Sequence, residues 1–241
     1  FAIMSPKNCS QTETSNDCSK TRPGKSLVND SVFPKDLSWE RITVTKGHQR
    51  LVSQLSGHVP SGQLSGMLGH SGSGKSTLLS VLGGKASSLR AKNLNVEGKI
   101  MVNQEEVELS SLSLSKHLAY VTQDDFFTET ATPKEAIQFA ARMRLSQSKS
   151  DQYIEYVTAN ILQDLQLLHV QERVMSHKNG LSGGEKRRVS FGLALVTQPS
   201  ILLLDEVTSG LDSYQASKIV QVCHHLAHVR GTAVLMSLHQ P

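Results

Sequence analysis

The sequence has little of what a secreted, fibrous or membrane-spanning chain needs. Only three cysteines occur in 241 residues, Cys9, Cys18 and Cys223. Their spacing matches neither a disulfide framework nor a paired zinc motif, so they read as reduced, cytosolic thiols. Aromatics make up 5% of the chain. No stretch approaches the roughly 18 apolar residues of a membrane span; the longest purely aliphatic run is Ile201 to Leu204. No secretory leader is visible. A strong excess of one charge is missing too. The net charge is +4 and the basic residues are scattered, with Lys186-Arg187-Arg188 the densest group. Charge alone therefore does not call for nucleic acid, and an acidic ligand such as a nucleotide fits equally well. What is present is 38% hydrophobic content, enough for a real core, in a length that suits one domain plus some extra sequence or a domain with a subdomain inserted in it. The chain starts at Phe1 rather than Met and stops at Pro241 on an apparent strand end, which reads as a piece of a longer protein.

Residues 1–36 are rich in Ser, Thr, Asn, Lys and Pro. Such a composition buries too little apolar area to offset its ordering entropy, and predicts a flexible polar tail. Arg41 to Thr45 alternates and is β-branched, as in a half-buried strand. Gln63 to Gly69 reads as a strand running into a Gly-rich turn, with a helix over Ser76 to Leu82. Further strands are expected at Lys99 to Asn103, Leu118 to Thr122, Ser200 to Leu204 and Thr232 to Leu238. From about Thr132 the pattern becomes helical: Pro133 suits a first turn and Glu135 complements its dipole. Ile154, Val157, Ile161, Leu165 and Leu168 form a packing stripe at three- and four-residue spacing. Strands alternating with helices predict an α/β fold with a mostly parallel core sheet, interrupted by a helical insertion at about 126–180.

Gly69-His70-Ser71-Gly72-Ser73-Gly74-Lys75-Ser76, followed by Thr77, matches a phosphate-binding loop in full. Glycines let backbone N–H groups crowd around phosphate oxygens, and the helix that follows points its positive end at them. Lys75 is placed to reach the β- and γ-phosphates of a nucleotide, and the Ser76 hydroxyl to bind Mg²⁺. Ile201 to Leu204 ends in Asp205-Glu206. A buried strand delivers Asp205 to the same sheet end, as a second holder of Mg²⁺, while Glu206 is placed to take a proton from an attacking water. Leu181-Ser182-Gly183-Gly184-Glu185-Lys186 opens a helix with Ser182 as cap and Glu185 three residues on, a capping box whose free N–H groups also suit an anion.

This last run resembles the signature motif of ABC ATPases, and the other elements of that family follow in order. Gln123 resembles the glutamine-loop residue, Ser209-Gly210-Leu211-Asp212 the D-loop, and His239 the switch histidine. The resemblance covers about residues 37–241, and implies a P-loop NTPase fold of ABC type with an antiparallel β subdomain and an inserted helical subdomain. It implies ATP and Mg²⁺ as cofactors, with Gln123 sensing Mg²⁺ and the γ-phosphate and His239 orienting the water. It implies a second cassette, in a homo- or heterodimer, packed head to tail so that each signature faces the other's ATP. It also implies a membrane localisation, through a transmembrane domain expected after residue 241, and no nucleic-acid partner. A soluble ABC ATPase acting on nucleic acid or ribosomes is the alternative; it predicts a coiled coil after Gln123 or a second cassette, and neither appears within these 241 residues. Ala119 to Asp125, Leu181 to Arg188 and Leu238-His-Gln-Pro241 are most similar to the G subfamily, the White-like half-transporters and their relatives. Two positions depart from the family pattern. Val207 stands where Pro is usual, and Thr43 to Thr45 lies where many cassettes stack adenine on an aromatic, so base contacts are expected to be aliphatic. Phe126 or Phe127, next to the glutamine loop, is a candidate for docking a membrane domain; the alternative is that both rings fill the core beneath the helical insertion.

Overall fold

The computed structural model describes residues 2–4, 34–85, 93–107, 117–122, 130–176 and 180–238. Gln123, Phe126, Phe127 and His239 lie outside the described residues, as do Cys9, Cys18 and most of the polar N-terminal stretch.

The strands are β1 (Ala2–Met4), β2 (Leu37–Lys46), β3 (Gln49–Val59), β4 (Leu64–Leu68), β5 (Leu94–Val102), β6 (Glu105–Val107), β7 (Leu118–Val121), β8 (Ile201–Leu204) and β9 (Ala233–Leu238). The helices are α1 (Lys75–Leu82), α2 (Pro133–Arg144), α3 (Asp151–Asp164), α4 (Gly183–Leu195) and α5 (Ser213–Arg230), with a 3₁₀ turn at Leu168–Val170. Two sheets form. The central one has the order β1-β4-β9-β8-β7, and the other β3-β2-β5-β6. β4, β9, β8 and β7 run parallel, whereas the second sheet is antiparallel throughout.

The parallel sheet is buried on both faces, and side-chain alternation divides it between two cores. Ile201, Leu203, Ala233 and Leu235 join the cluster under the antiparallel sheet, with Trp39, Ile42, Leu78 and Leu82. Leu202, Leu204, Val234 and Met236 join the cluster under the helices, with Ile137, Ile161, Phe191 and Leu226. Burying a Val, Leu, Ile or Met side chain contributes on the order of 1.5–3 kcal/mol, so the seven of these strand residues other than Ala233 are a large part of the drive to form the sheet.

The sequence-expected strands and helices form at their places. β3 is an addition: its pattern, Gln-Arg-Leu-Val-Ser-Gln-Leu-Ser-Gly-His-Val, is polar and mostly exposed, and it forms because it pairs with β2 along its length. In the N-terminal stretch expected as a tail, Ala2–Met4 instead pairs antiparallel with Gly66–Leu68 of β4, where a free sheet edge supplies hydrogen-bond partners that composition does not reveal. Asp36 is also tied down, accepting from Ser61 N–H at 2.7 Å through Oδ1. The stripe needs one correction. Ile154, Val157, Ile161 and Leu165 are buried, but Leu168 is 49% exposed. The helix ends at Asp164, and Gln166 at φ 54° turns the chain, so Leu167 takes the inward position, at 0% exposure.

Candidate functional site

β4 runs into the phosphate-binding loop, and the loop into α1. Two of its glycines are set by geometry. Gly72 has φ 76° and Gly74 φ 92°, in the left-handed region. At Gly74 a Cβ would also lie 2.8 Å from the Leu51 carbonyl oxygen of β3, so the antiparallel sheet presses on the loop where it enters the helix. Ser73 N–H donates to His70 O at 3.2 Å, and His70 Nδ1 lies 2.7 Å from Ser71 O. Lys75 is 3% exposed, and its Nζ donates to Gly69 O at 2.6 Å and His70 O at 3.0 Å. The ammonium is thus held inside the curve of the loop. Thr77 follows, half-buried, in the first turn of α1.

Asp205 leaves the end of β8 at 6% exposure. Its Oδ1 accepts from Ser76 Oγ at 3.0 Å and from Ser237 Oγ at 2.8 Å, and its Oδ2 from Tyr120 Oη at 3.0 Å. The two residues expected to share a metal ion, Ser76 and Asp205, are therefore in direct contact across the loop–strand gap. Burial, followed by the nearby Asp205 carboxylate, pushes the Tyr120 phenol well above its usual range, so it stays a hydrogen-bond donor. Lys85 Nζ sits 4.1 Å from the Tyr120 ring centre; burial lowers its pKa, and Asp205 opposes that shift.

Glu206 comes next, with φ 48°. A non-glycine residue in this region is costly and marks a place where the surroundings hold the backbone. Its N–H donates to Ser237 Oγ at 2.8 Å, and Val207 behind it is fully buried. In the segment Ser209, Gly210, Leu211, Asp212, Ser209 N–H donates to Glu206 O at 3.0 Å, and Asp212 caps α5 by accepting from Gln215 N–H at 2.9 Å. The D-loop segment thus hangs directly from the acidic pair.

The signature run forms the expected capping box at the start of α4. Ser182 Oγ accepts from Glu185 N–H at 3.3 Å, and Glu185 Oε2 from Ser182 N–H at 2.8 Å. The N–H groups of Gly183 and Gly184 lie between them at the positive helix end. Burial raises the Glu185 carboxyl, but bonds from Ser182 and His169 outweigh it and hold it below the usual range. Leu181 is buried, and the closest neighbours at Gly183 and Gly184 are Leu211 and Gln215, not the phosphate loop. Arg187, one turn on, donates to Thr122 O at 3.3 Å, linking α4 to the strand end that leads toward Gln123.

The structure thus joins Ser76 to Asp205, with Lys75 and Glu206 as their chain neighbours, while Gly183 and Gly184 face Leu211 and Gln215. Two members of the cluster, Tyr120 and Ser237, do not stand out in the sequence. A hydroxyl in a strand that is otherwise Ala, Val, Leu, Met and Leu was the available signal. Trp39 is 1% exposed and so offers no face to a base. Cys223 is fully buried, which pushes its thiol up to about 12 and makes it a poor nucleophile.

A family model described as "ABC transporter" matches residues 52–209. Among curated proteins, "ABC transporter G family member 7" of Dictyostelium discoideum is 39% identical over 198 residues, covering 79% of this chain and 23% of that protein. "ABC transporter G family member 7" of Arabidopsis thaliana is 35% identical over 240 residues, covering 96% of this chain and 32% of that protein. A "Probable ATP-dependent permease" of Saccharomyces cerevisiae is 33% identical over 233 residues, covering 91% and 22%. The chain therefore spans about a quarter to a third of the length of these relatives. A solved structure of the ADP conformation of an ATP-binding cassette of an ABC transporter superposes with a TM-score of 0.71 at 22% identity, over 86% of this chain and 82% of that one, which is a likeness of fold.

Proposed function

Because the chain belongs to the ABC transporter family as its ATP-binding cassette, we propose that it hydrolyses MgATP to drive transport through an attached transmembrane domain of the G-subfamily kind. The observation that carries this reading is the contact of Ser76 Oγ with Asp205 Oδ1 at 3.0 Å beside the buried Lys75. A hydroxyl and a carboxylate oxygen on one spot are the hard oxygen donors that Mg²⁺ prefers. The residues present therefore fit the ion, with Ser76 and Asp205 as holders and Gln123 as a third, by resemblance. When bound, it supplies neutralisation of charge on the phosphate oxygens.

In this reading the backbone N–H groups from Gly69 to Thr77 cradle the phosphates, and Lys75 exchanges its bonds to Gly69 O and His70 O for phosphate oxygens. Glu206 accepts the proton of the attacking water, while His239 and Gln123 orient that water and the γ-phosphate. Ser182, Gly183 and Gly184 at the start of α4 meet the ATP of a second cassette packed head to tail, which explains why they stand apart from the loop of their own chain. The D-loop segment, hanging from Glu206, lies at the same junction.

No helix among the described residues is long and apolar enough to cross a membrane, so membrane attachment in this reading rests on the partner domain. A groove of about 770 Å³ runs along α2, lined by Phe139, Met143, Ala136, Met175 and Leu193. Phe139 and Met143 are 67% and 70% exposed. This apolar face, on the helix that follows the segment with Phe126 and Phe127, is our site for a cytoplasmic helix of the transmembrane domain. The test is Glu206→Gln in the full-length protein. It is expected to bind ATP and not turn it over; wild-type turnover defeats the reading.

A further inference from the structure

We propose that Ser237 is a positioning residue for hydrolysis, its single hydroxyl setting the Asp205 carboxylate and the Glu206 backbone as one unit. Ser237 is 0% exposed, within a strand whose other members are apolar. A buried hydroxyl needs partners, and this one has two, each at 2.8 Å: it donates to Asp205 Oδ1 and accepts from Glu206 N–H. A hydroxyl is the smallest side-chain group that does both at once. The placement follows from register: Leu204 of β8 lies opposite Met236 of β9, so the next residue of β9 falls beside the chain where it leaves β8.

The bond to Glu206 matters because that residue is held at φ 48°. Such a backbone persists only where its neighbours over-determine it. Fully buried Val207 fixes it on one side, and the Ser237 hydroxyl holds its own amide on the other. Without that hydroxyl the amide loses its acceptor, and Glu206 can relax to an ordinary conformation, which swings its carboxyl away from the place where it would take a proton from the attacking water. Lys75 is bound to Gly69 and His70, and Ser76 keeps its own bond to Asp205 Oδ1, so neither loop side chain loses a partner when the Ser237 hydroxyl is removed. Loss of Ser237 is thus expected to act on turnover and not on nucleotide affinity.

The inference rests on Glu206 as proton acceptor, so Glu206→Gln is measured alongside. In the full-length protein, Ser237→Val and Ser237→Thr have the same shape and differ in the hydroxyl. The measurements are steady-state hydrolysis against ATP concentration, binding of trinitrophenyl-ATP with and without Mg²⁺, and thermal unfolding. The valine variant is expected to lose roughly tenfold or more in kcat with KM and trinitrophenyl-ATP binding within about threefold of wild type, and the threonine variant to recover most of the rate. Equal kcat in the two variants overturns the proposal, as does a valine variant that loses nucleotide binding in parallel with kcat. If valine lowers the melting temperature below that of the assay, Ser237→Ala against Ser237→Thr makes the same comparison, and equal kcat or a parallel loss of binding again overturns the proposal. A dead Glu206→Gln with Ser237→Val at wild-type kcat overturns this inference alone; normal turnover in Glu206→Gln overturns the reading of Glu206 and this inference with it.

Discussion

The phosphate loop and the signature run are both glycine-rich helix starts, yet they are built differently. At the loop, Gly74 at φ 92° forms the N-terminal boundary of α1 without any side-chain cap. Its polar side chains are tied inward, Lys75 to the loop carbonyls and Ser76 to Asp205. At the signature, Ser182 and Glu185 cap α4 reciprocally, so that helix end is stable on its own and exposes only the N–H groups between the two partners. The first start leaves its helix end without a side-chain partner; the second is a finished, capped structural element. The difference fits the proposed reading, in which the loop gathers the hydrolytic residues around it and the signature completes a site only with a second cassette.

Four substitutions test that contrast, the largest effect first. Glu206→Gln should lower kcat by about 10²–10⁴-fold, the usual range for a lost proton acceptor, with ATP binding retained; single-turnover and binding measurements separate the two. Gly74→Ala places a Cβ 2.8 Å from Leu51 O at a residue with φ 92°. It should destabilise the domain by on the order of 1–3 kcal/mol and abolish nucleotide binding, and a variant that binds ATP normally would show that the loop tolerates a side chain. Ser182→Ala removes a cap worth about 1 kcal/mol and should lower the melting temperature by roughly 2–4 °C. Binding at its own phosphate loop should stay intact, while hydrolysis falls in proportion to the mutant fraction in mixed dimers. If ATP affinity drops in the isolated mutant cassette, the separation of the two helix starts is wrong.

The smallest effect is in pH. Because the folded carboxyl of Glu185 lies below its unfolded value of 4.5, its contribution to stability is complete above that value. It is lost as pH falls through the lower folded pKa. Glu185→Gln should therefore flatten the acidic limb of the melting-temperature profile and leave the neutral region nearly unchanged. An identical acid limb in both proteins would mean the capping carboxylate has no linkage to folding.

How far these features are legible depends on whether their cause is local. The phosphate loop, the cap at Ser182, Pro133 in a first turn and the aliphatic β8 all rest on short-range rules, such as left-handed glycines, capping side chains and strand hydrophobicity, and each forms where the residues indicate. Leu168 departs from expectation because a helical period does not announce where the helix stops, and the turn at Gln166 rotates the chain. β3 and Ala2–Met4 are not legible in the same way, because an exposed polar strand exists through its partner and not through its own pattern.

The sequence by itself determined the family, the fold class and the places of the glycine-rich loop and the acidic pair in the chain, since these are carried by runs of neighbouring residues with fixed spacing. Only the tertiary structure decided that Tyr120, Ser237 and Ser76, drawn from three separate strands and helices, converge on one carboxylate of Asp205. Only it decided that Glu206 is held in a left-handed backbone by a hydroxyl 31 positions away. The reason is that parallel strands place residues distant in the chain at the same sheet end, and the register that sets those meetings comes from the burial of whole faces, which no local run of residues encodes.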